Sequence, residues 1–261
     1  MASRRSSAFP WKEFLRNVAV IAIPVALQNL LTTTGSMVDT MMIAPLGELS
    51  VGAVGLCAQF SSLMFSGYWG FMGGGMLFFA QYYGAKDDDG VNRAYGMTLL
   101  CMMADAVLFA ALALFFPEFV MRVYTDKPAI QEIGVQYLRM VGFAYPLQVY
   151  AMAMSSLLRT TDRVRIPLYG AIASVATNVV LNWLLIFGRF GLPAMGIRGA
   201  ALATVCAAAV NVLVILLLGK IQKHPYLFRI SKHFVWPKAF VAEYFHKCFP
   251  ILMNEILIGV G

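Results

Sequence analysis

Four oxygen-bearing side chains stand in stretches that are otherwise apolar. Asp39 lies in the first such stretch, Asn178 and Asn182 in the fifth and Thr204 in the sixth. A charge deep in a bilayer costs on the order of 3 kcal/mol on insertion scales, so a chain that keeps Asp39 there must compensate it. Counting back from Asp39 in helical steps gives Ser36 or Gly35, then Thr32 and Gln28, so one helical face is polar and small. Asn178 and Asn182, at i and i+4, share a face of their own helix. Carboxylate, amide and hydroxyl oxygens are the ligands of hard cations, and a desolvated carboxylate takes up a proton more readily. The set is therefore suited to hold Na⁺ or a proton. The two asparagines and the threonine have a second reading, as hydrogen-bonding groups between packed helices. Asp39 is the member that marks a functional site, because intramembrane acids are rare and expensive.

The elements that must position these residues follow from hydropathy. Of the 261 residues, 60% are hydrophobic and 13% charged, and the mean hydropathy of +0.72 lies outside the range of water-soluble domains. A spanning helix needs about 20 apolar residues. Six complete runs meet this, at residues 17–43, 51–83, 94–116, 130–157, 166–188 and 199–219, and a seventh begins near Cys248. The expected fold is all-α, a polytopic transmembrane helix bundle with six complete spans and a partial seventh. Residues 1–219 form the bundle, 220–247 a basic cytoplasmic linker and 248–261 the start of a second bundle. Pro24 and Pro146 are the expected kink points.

The charges set an orientation. With the N-terminus inside, fifteen of the 20 Lys and Arg residues fall on the inner side; Arg122, Lys127, Arg189 and Arg198 fall outside and Arg139 within a span. That asymmetry predicts a multi-pass protein of the cell membrane with a cytoplasmic N-terminus. It also accounts for the basic isoelectric point of 9.3 without nucleic acid as a partner. In this topology Asp39, Asn182 and Thr204 each lie roughly 4–6 residues, about 6–9 Å, from the outer ends of their helices. The cysteines lack any CxxC or Cys/His spacing, and His224, His233 and His246 all fall in the linker. No span carries a nucleophile, base or metal constellation, so no enzyme and no cofactor are expected beyond a coupling ion.

The chain also starts over. Ile23-Pro24-Val25-Ala26-Leu27-Gln28-Asn29-Leu30-Leu31 and Phe249-Pro250-Ile251-Leu252-Met253-Asn254-Glu255-Ile256-Leu257 match in residue type 226 residues apart, each after a basic amphipathic stretch. Six spans per repeat give two halves of the same orientation, so the expected whole is a protein of about 450 residues with a second six-helix bundle.

Further residues have weaker readings. Asp105 in the third run is a second titrating group or the partner of a basic residue. Met64, Met72 and Met76, with Phe65, Tyr68 and Trp69, line a cavity or fill packing surface. Gly73, Gly74 and Gly75 permit close helix approach or local unwinding. Asp87 to Asp89 read as a solvated cap.

Five stretches in order carry a resemblance. They are Val38-Asp39-Thr40; Ala80-Gln81-Tyr82-Tyr83-Gly84-Ala85; Leu158-Arg159-Thr160 with Pro167; Asn178-Val179-Val180-Leu181-Asn182 followed by Leu185-Ile186-Phe187-Gly188; and Met195 through Thr204. In these the chain resembles the multidrug and toxic compound extrusion (MATE) transporters over nearly its whole length. The resemblance implies twelve helices in two bundles around a central cavity, and export of small organic cations in exchange for Na⁺ or H⁺. It implies an ion-coupling site at Asp39, Asn178, Asn182 and Thr204, with Na⁺ as one candidate occupant, and a comparable role for Glu255 in the second bundle. Gln28, Ser36 and Asp105 are accessory candidates. A branch of the family has aspartate where this chain has Asn182, which leaves one carboxylate and both coupling ions open. The alternatives are a flippase of lipid-linked oligosaccharides from the same superfamily, which would present more basic residues to its cavity than Arg139 alone, or a membrane fragment that transports nothing.

Overall fold

The computed structural model describes residues 11–191, 193–229 and 233–260. Among them are nine α-helices: α1 (Trp11–Ile43), α2 (Glu48–Gly84), α3 (Asp88–Phe115), α4 (Pro117–Tyr124), α5 (Pro128–Val141), α6 (Ala144–Thr160), α7 (Arg165–Phe187), α8 (Ile197–Ile221) and α9 (Lys238–Val260). Five are long and apolar enough to cross a membrane, and α5 with α6 are so together as a pair bent by 50°, which makes six if the pair is one span. The chain is a multi-pass membrane protein, all-helical in its described residues.

The bend sits at Gly142 and Phe143, just before Pro146 rather than on it. Proline lacks the N–H that would bond to the carbonyl four residues back, and that carbonyl belongs to Gly142. The run 130–157 is thus two helices around that gap. Residues between the third and fourth runs form α4, an amphipathic helix that sequence reading left in a loop; Pro117 begins it, and Phe119 and Val123 stay exposed. The aspartate run does cap a helix: the Asp87 carboxylate accepts from the Gly90 amide at 2.8 Å at the start of α3.

α7 packs on α8 and on α1, α6 on α8 and α3, and α2 on α3 and α9. α1 touches chiefly α7, and Leu30, Met37 and Met41 on its other side are exposed. In a membrane protein such apolar surface faces hydrocarbon or another helix. Met64 and Met72 are fully buried packing residues, whereas Met76 is exposed.

α9 begins at Lys238, ten residues before the expected start of the seventh run, because the basic stretch ahead of Pro250 is already helical. The same holds for Trp11 onward before Pro24 in α1, so both halves of the sequence repeat are long helices with an internal proline. α9 docks on glycines of α2. A Cβ at Gly74 would lie 2.1 Å from Cys248 Sγ, and one at Gly70 would lie 2.6 Å from the Cα of Leu252. α2 stays helical throughout, so its glycines serve close approach rather than unwinding.

The segment after α8 is held against the end of the bundle that carries the basic loops. His224 Nε2 lies 2.9 Å from Thr161 Oγ1, the Tyr226 hydroxyl donates to Asp88 at 2.8 Å, and Trp236 Nε1 donates to the Arg93 carbonyl at 3.2 Å. His224 and His233 are buried. Burial, and then the charge of Arg163, pull His224 down to about 4; burial also lowers His233.

Candidate functional site

The polar face of α1 points at α7. Gly35 makes this possible: a Cβ there would already be 3.2 Å from Val175 Cγ2. One turn further on, Asp39 Oδ1 accepts from Asn182 Nδ2 at 2.5 Å, and the same amide nitrogen donates to Asn178 Oδ1 at 3.1 Å. The carboxylate sets this orientation, because an ionised acid accepts only and must face the amide's nitrogen. Asn182 is fully buried, and its Oδ1 has no hydrogen-bond partner.

Thr204 on α8 donates to the Ala200 carbonyl at 3.0 Å, so its oxygen is left to act as an acceptor. Thr204, Asn178 and Asp39 line one cavity of about 210 Å³, together with Thr32, Ser36 and Asn211. Three of the expected site residues thus face one space, and the fourth, Asn182, bridges two of them from behind. Among the described residues no basic side chain pairs with Asp39, nor do three or more His, Cys, Asp or Glu gather as a metal cluster. Amide dipoles alone oppose the Asp39 charge, so the cavity wall presents a carboxylate, an amide carbonyl and a hydroxyl that can accept from a hydrated cation or receive a proton.

A second cavity of about 300 Å³ lies along the same helices toward the basic end, with Gln28, Tyr68, Trp69 and Arg159 in its wall. Thr32, Ser174, Val175 and Asn211 belong to both walls, so the two spaces adjoin. Gln28 accepts from Arg159 Nη2 at 3.0 Å. The two accessory candidates on α1 therefore divide, Ser36 to the first cavity and Gln28 to the second.

Asp105 and Glu255 lie elsewhere. Asp105 packs against α2, where a Cβ on Gly67 would be 2.9 Å from its Oδ1, and its Oδ2 is buried without a partner. It has no basic partner among the described residues, contrary to one of its two expected roles. Glu255 is half-buried on α9, which packs on α2, and it belongs to the wall of neither cavity.

Two arginines differ in their surroundings from what the sequence suggests. Arg139 lies on α5 of the bent pair, within the expected run, but is more than half exposed and paired with Glu118 at 2.5 Å. Arg159, expected in a loop, lines the second cavity. Tyr137 was not anticipated either. Buried on α5, it lies beside Thr204 and within electrostatic reach of Asp39. An aromatic in an apolar run carries no periodic signal that could have shown this. Ser174 and Asn211 were legible, since Ser174 is one turn before Asn178 and Asn211 two turns after Thr204.

The MatE family model matches residues 24–184, more than half of the chain. The chain belongs to the MatE family. It is 27% identical over 249 residues to the probable multidrug resistance protein YoeA of Bacillus subtilis, covering 94% of this chain and 54% of that protein. It is 26% identical to the probable multidrug resistance protein NorM of Rhizobium meliloti, covering 85% and 47%. The chain thus spans about half the length of the curated relatives it matches. Among solved structures, the fold is similar to that of an outward-facing multidrug resistance MATE family transporter of the MOP superfamily. The TM-score is 0.79 at 19% identity, over 92% of this chain and 52% of that one. An inward-facing counterpart gives 0.73 at 18% identity, over 93% and 54%.

Proposed function

We propose that this MatE chain is the first half of a cation-coupled antiporter that exports small organic cations or drugs, working in the cell membrane with its N-terminus in the cytoplasm. The observation that carries the reading is the Asp39 carboxylate. It is held between α1 and α7 by the Asn182 amide, faces a cavity and has no basic partner among the described residues. Membership of the MatE family and the multidrug resistance relatives support drug efflux as the transported class.

The proposed mechanism is a change of charge at one carboxylate. With Na⁺ or H⁺ on Asp39, the α1–α7 contact is neutral; without it, the contact carries a negative charge against amide dipoles. An ion shifts a conformational equilibrium only by its differential affinity for the two states, and the α1–α7 contact is where that difference would arise. Asn178 and Thr204 would complete the oxygen shell of a bound Na⁺, whereas a proton would need Asp39 alone. α1 touches chiefly α7 and is otherwise open, so it is the element that can move when this contact changes.

The reading is tested in proteoliposomes by ion-driven export of a fluorescent organic cation. The samples are this chain, the chain joined to a second six-helix half, and the joined Asp39→Asn variant. The joined protein is expected to export only with an ion gradient, with Asp39→Asn lowering coupled export at least about tenfold. A sodium gradient at constant pH, compared with a pH gradient, names the ion. Coupled export unaffected by Asp39→Asn would overturn the site. A flippase would be expected to present several basic side chains to the cavity, whereas Arg159 alone lines the two adjoining cavities described above.

A further inference from the structure

A third cavity, of about 490 Å³, opens at the end of the bundle that carries the basic loops and shares no wall residue with the two described above. Its wall is the turn from α6 into α7, residues 162–166, closed by Val20 of α1 and by Gln222 just past α8. Two guanidiniums stand in this wall, on Arg163 and Arg165. Arg163 Nη1 reaches Gln222 Oε1 only at 3.5 Å, and neither arginine has a carboxylate partner among the described ion pairs. The acid of the wall, Asp162, accepts from the Tyr83 hydroxyl at 3.3 Å. The wall thus carries two cations against one anion. Guanidinium is the side chain best suited to a phosphate or carboxylate, through paired N–H donors.

Two apolar stripes lead away from that wall. On α1, Val20, Ile23 and Leu27 stand at i, i+3 and i+7. On α7, Tyr169 and Ile172 follow Arg165 at i+4 and i+7. All five are exposed. α1 and α7 pack together and run the same way from the basic end, as the contacts of Gly35 with Val175 and of Asp39 with Asn182 show. Each stripe begins at a residue of the cavity wall, so the two run side by side from the basic cavity toward the middle of the membrane. An inorganic anion would meet the guanidiniums and leave the stripes bare. A phospholipid uses both, with its phosphate at the arginines and its acyl chains on the apolar side chains. Basic pockets between spans on the cytoplasmic side are suited to anionic headgroups, and the orientation proposed above puts this cavity on that side.

We propose that the cavity at the α6–α7 turn binds the headgroup of an anionic phospholipid from the adjoining leaflet, with the phosphate at Arg163 and Arg165 and the acyl chains along α1 and α7. The bound lipid ties α1 to the α6–α7 turn. This site does not depend on what the chain transports.

The test is native mass spectrometry of the chain released from detergent, counting adducts of dioleoyl phosphatidylglycerol against those of dioleoyl phosphatidylcholine. Each basic residue near an anionic headgroup contributes about a fivefold preference, so phosphatidylglycerol is expected to bind about thirtyfold more tightly. The double variant Arg163→Gln with Arg165→Gln is expected to remove that preference while leaving phosphatidylcholine adducts and the melting temperature unchanged. Arg163→Lys with Arg165→Lys keeps the charge and is expected to keep most of the preference, which separates loss of the site from loss of the fold. Lys86→Gln with Lys238→Gln removes the same charge from the same end but outside the wall, and is expected to leave the preference intact. Equal binding of the two lipids to the unaltered chain overturns the proposal. So does an equal loss in the arginine and lysine double glutamine variants, since general surface charge then explains the preference. Glycerophosphoglycerol has the same headgroup and no chains; if it displaces phosphatidylglycerol at equal concentration, the site takes a free phosphate ester and the lipid assignment fails.

Discussion

Gly74→Ala replaces a hydrogen with a methyl group where α9 rests on α2. The added carbon would lie 2.1 Å from Cys248 Sγ, 3.0 Å from its Cβ and 3.1 Å from its Cα. Rotating the thiol does not relieve the last two contacts, so α9 must shift or detach. Overpacking of this kind costs about 1–3 kcal/mol, which raises the detached population about 5- to 150-fold when reattachment is fast. Cys248 is itself the probe, because it is 1% exposed while α9 is seated. In a background with Cys101 and Cys206 replaced by alanine, maleimide labelling of Cys248 should accelerate by that factor, while Cys57, also 1% exposed but remote from α9, should not. Adding Cys248→Gly to Gly74→Ala removes the Sγ and Cβ contacts but not the one to Cα, and puts a glycine inside α9, so it should recover part of the lost melting temperature. Gly55→Ala is the control on the same helix: nothing lies within 4 Å of the added carbon, so it should stabilise α2 by about 0.5–1 kcal/mol. Labelling of Cys248 at the unaltered rate, or acceleration of Cys57 to the same extent, would refute the argument that glycine sets this contact.

Two further outcomes are expected. His224 is held down to about 4 in the docked segment against an ordinary 6.5. Between those values the detached segment takes a proton that the docked one refuses. Docking is therefore fully stable above about pH 6.5 and weakens as pH falls, by about 2 kcal/mol at pH 5. Hydrogen exchange over residues 222–229, corrected for intrinsic rates, should rise from pH 7 to 5, and His224→Gln should flatten the rise. Arg139→Ala should change stability by no more than about 1 kcal/mol in thermal unfolding, because its pair with Glu118 is exposed to solvent. A larger loss would show that the pair holds α4 against α5.

Much was legible before any coordinates. Apolar runs of about 20 residues can do little except span or line a bilayer, so the helical bundle followed from the residues alone. Asp39 stood out because an acid in such a run is expensive, and Asn178 with Asn182 because a period of 3.6 places them on one face. The repeat around Pro24 and Pro250 pointed to paired proline-bearing helices, and α1 and α9 are such helices. α9, by contrast, begins ten residues before the seventh apolar run. Hydropathy reports where a helix enters hydrocarbon, not where its backbone hydrogen bonds begin.

The tertiary structure decided the rest. Periodicity tells which residues share a helix face but not which neighbour that face meets. Only packing shows that Asn182 donates to Asp39 across 143 residues of sequence and that Tyr137 lies beside Thr204. Only packing, too, turns Arg159 into a cavity and Arg139 out toward Glu118. An arginine near a helix end has a stem long enough to reach water, a carboxylate or an enclosed space. Hydropathy rates those three environments alike, and the surrounding helices choose among them.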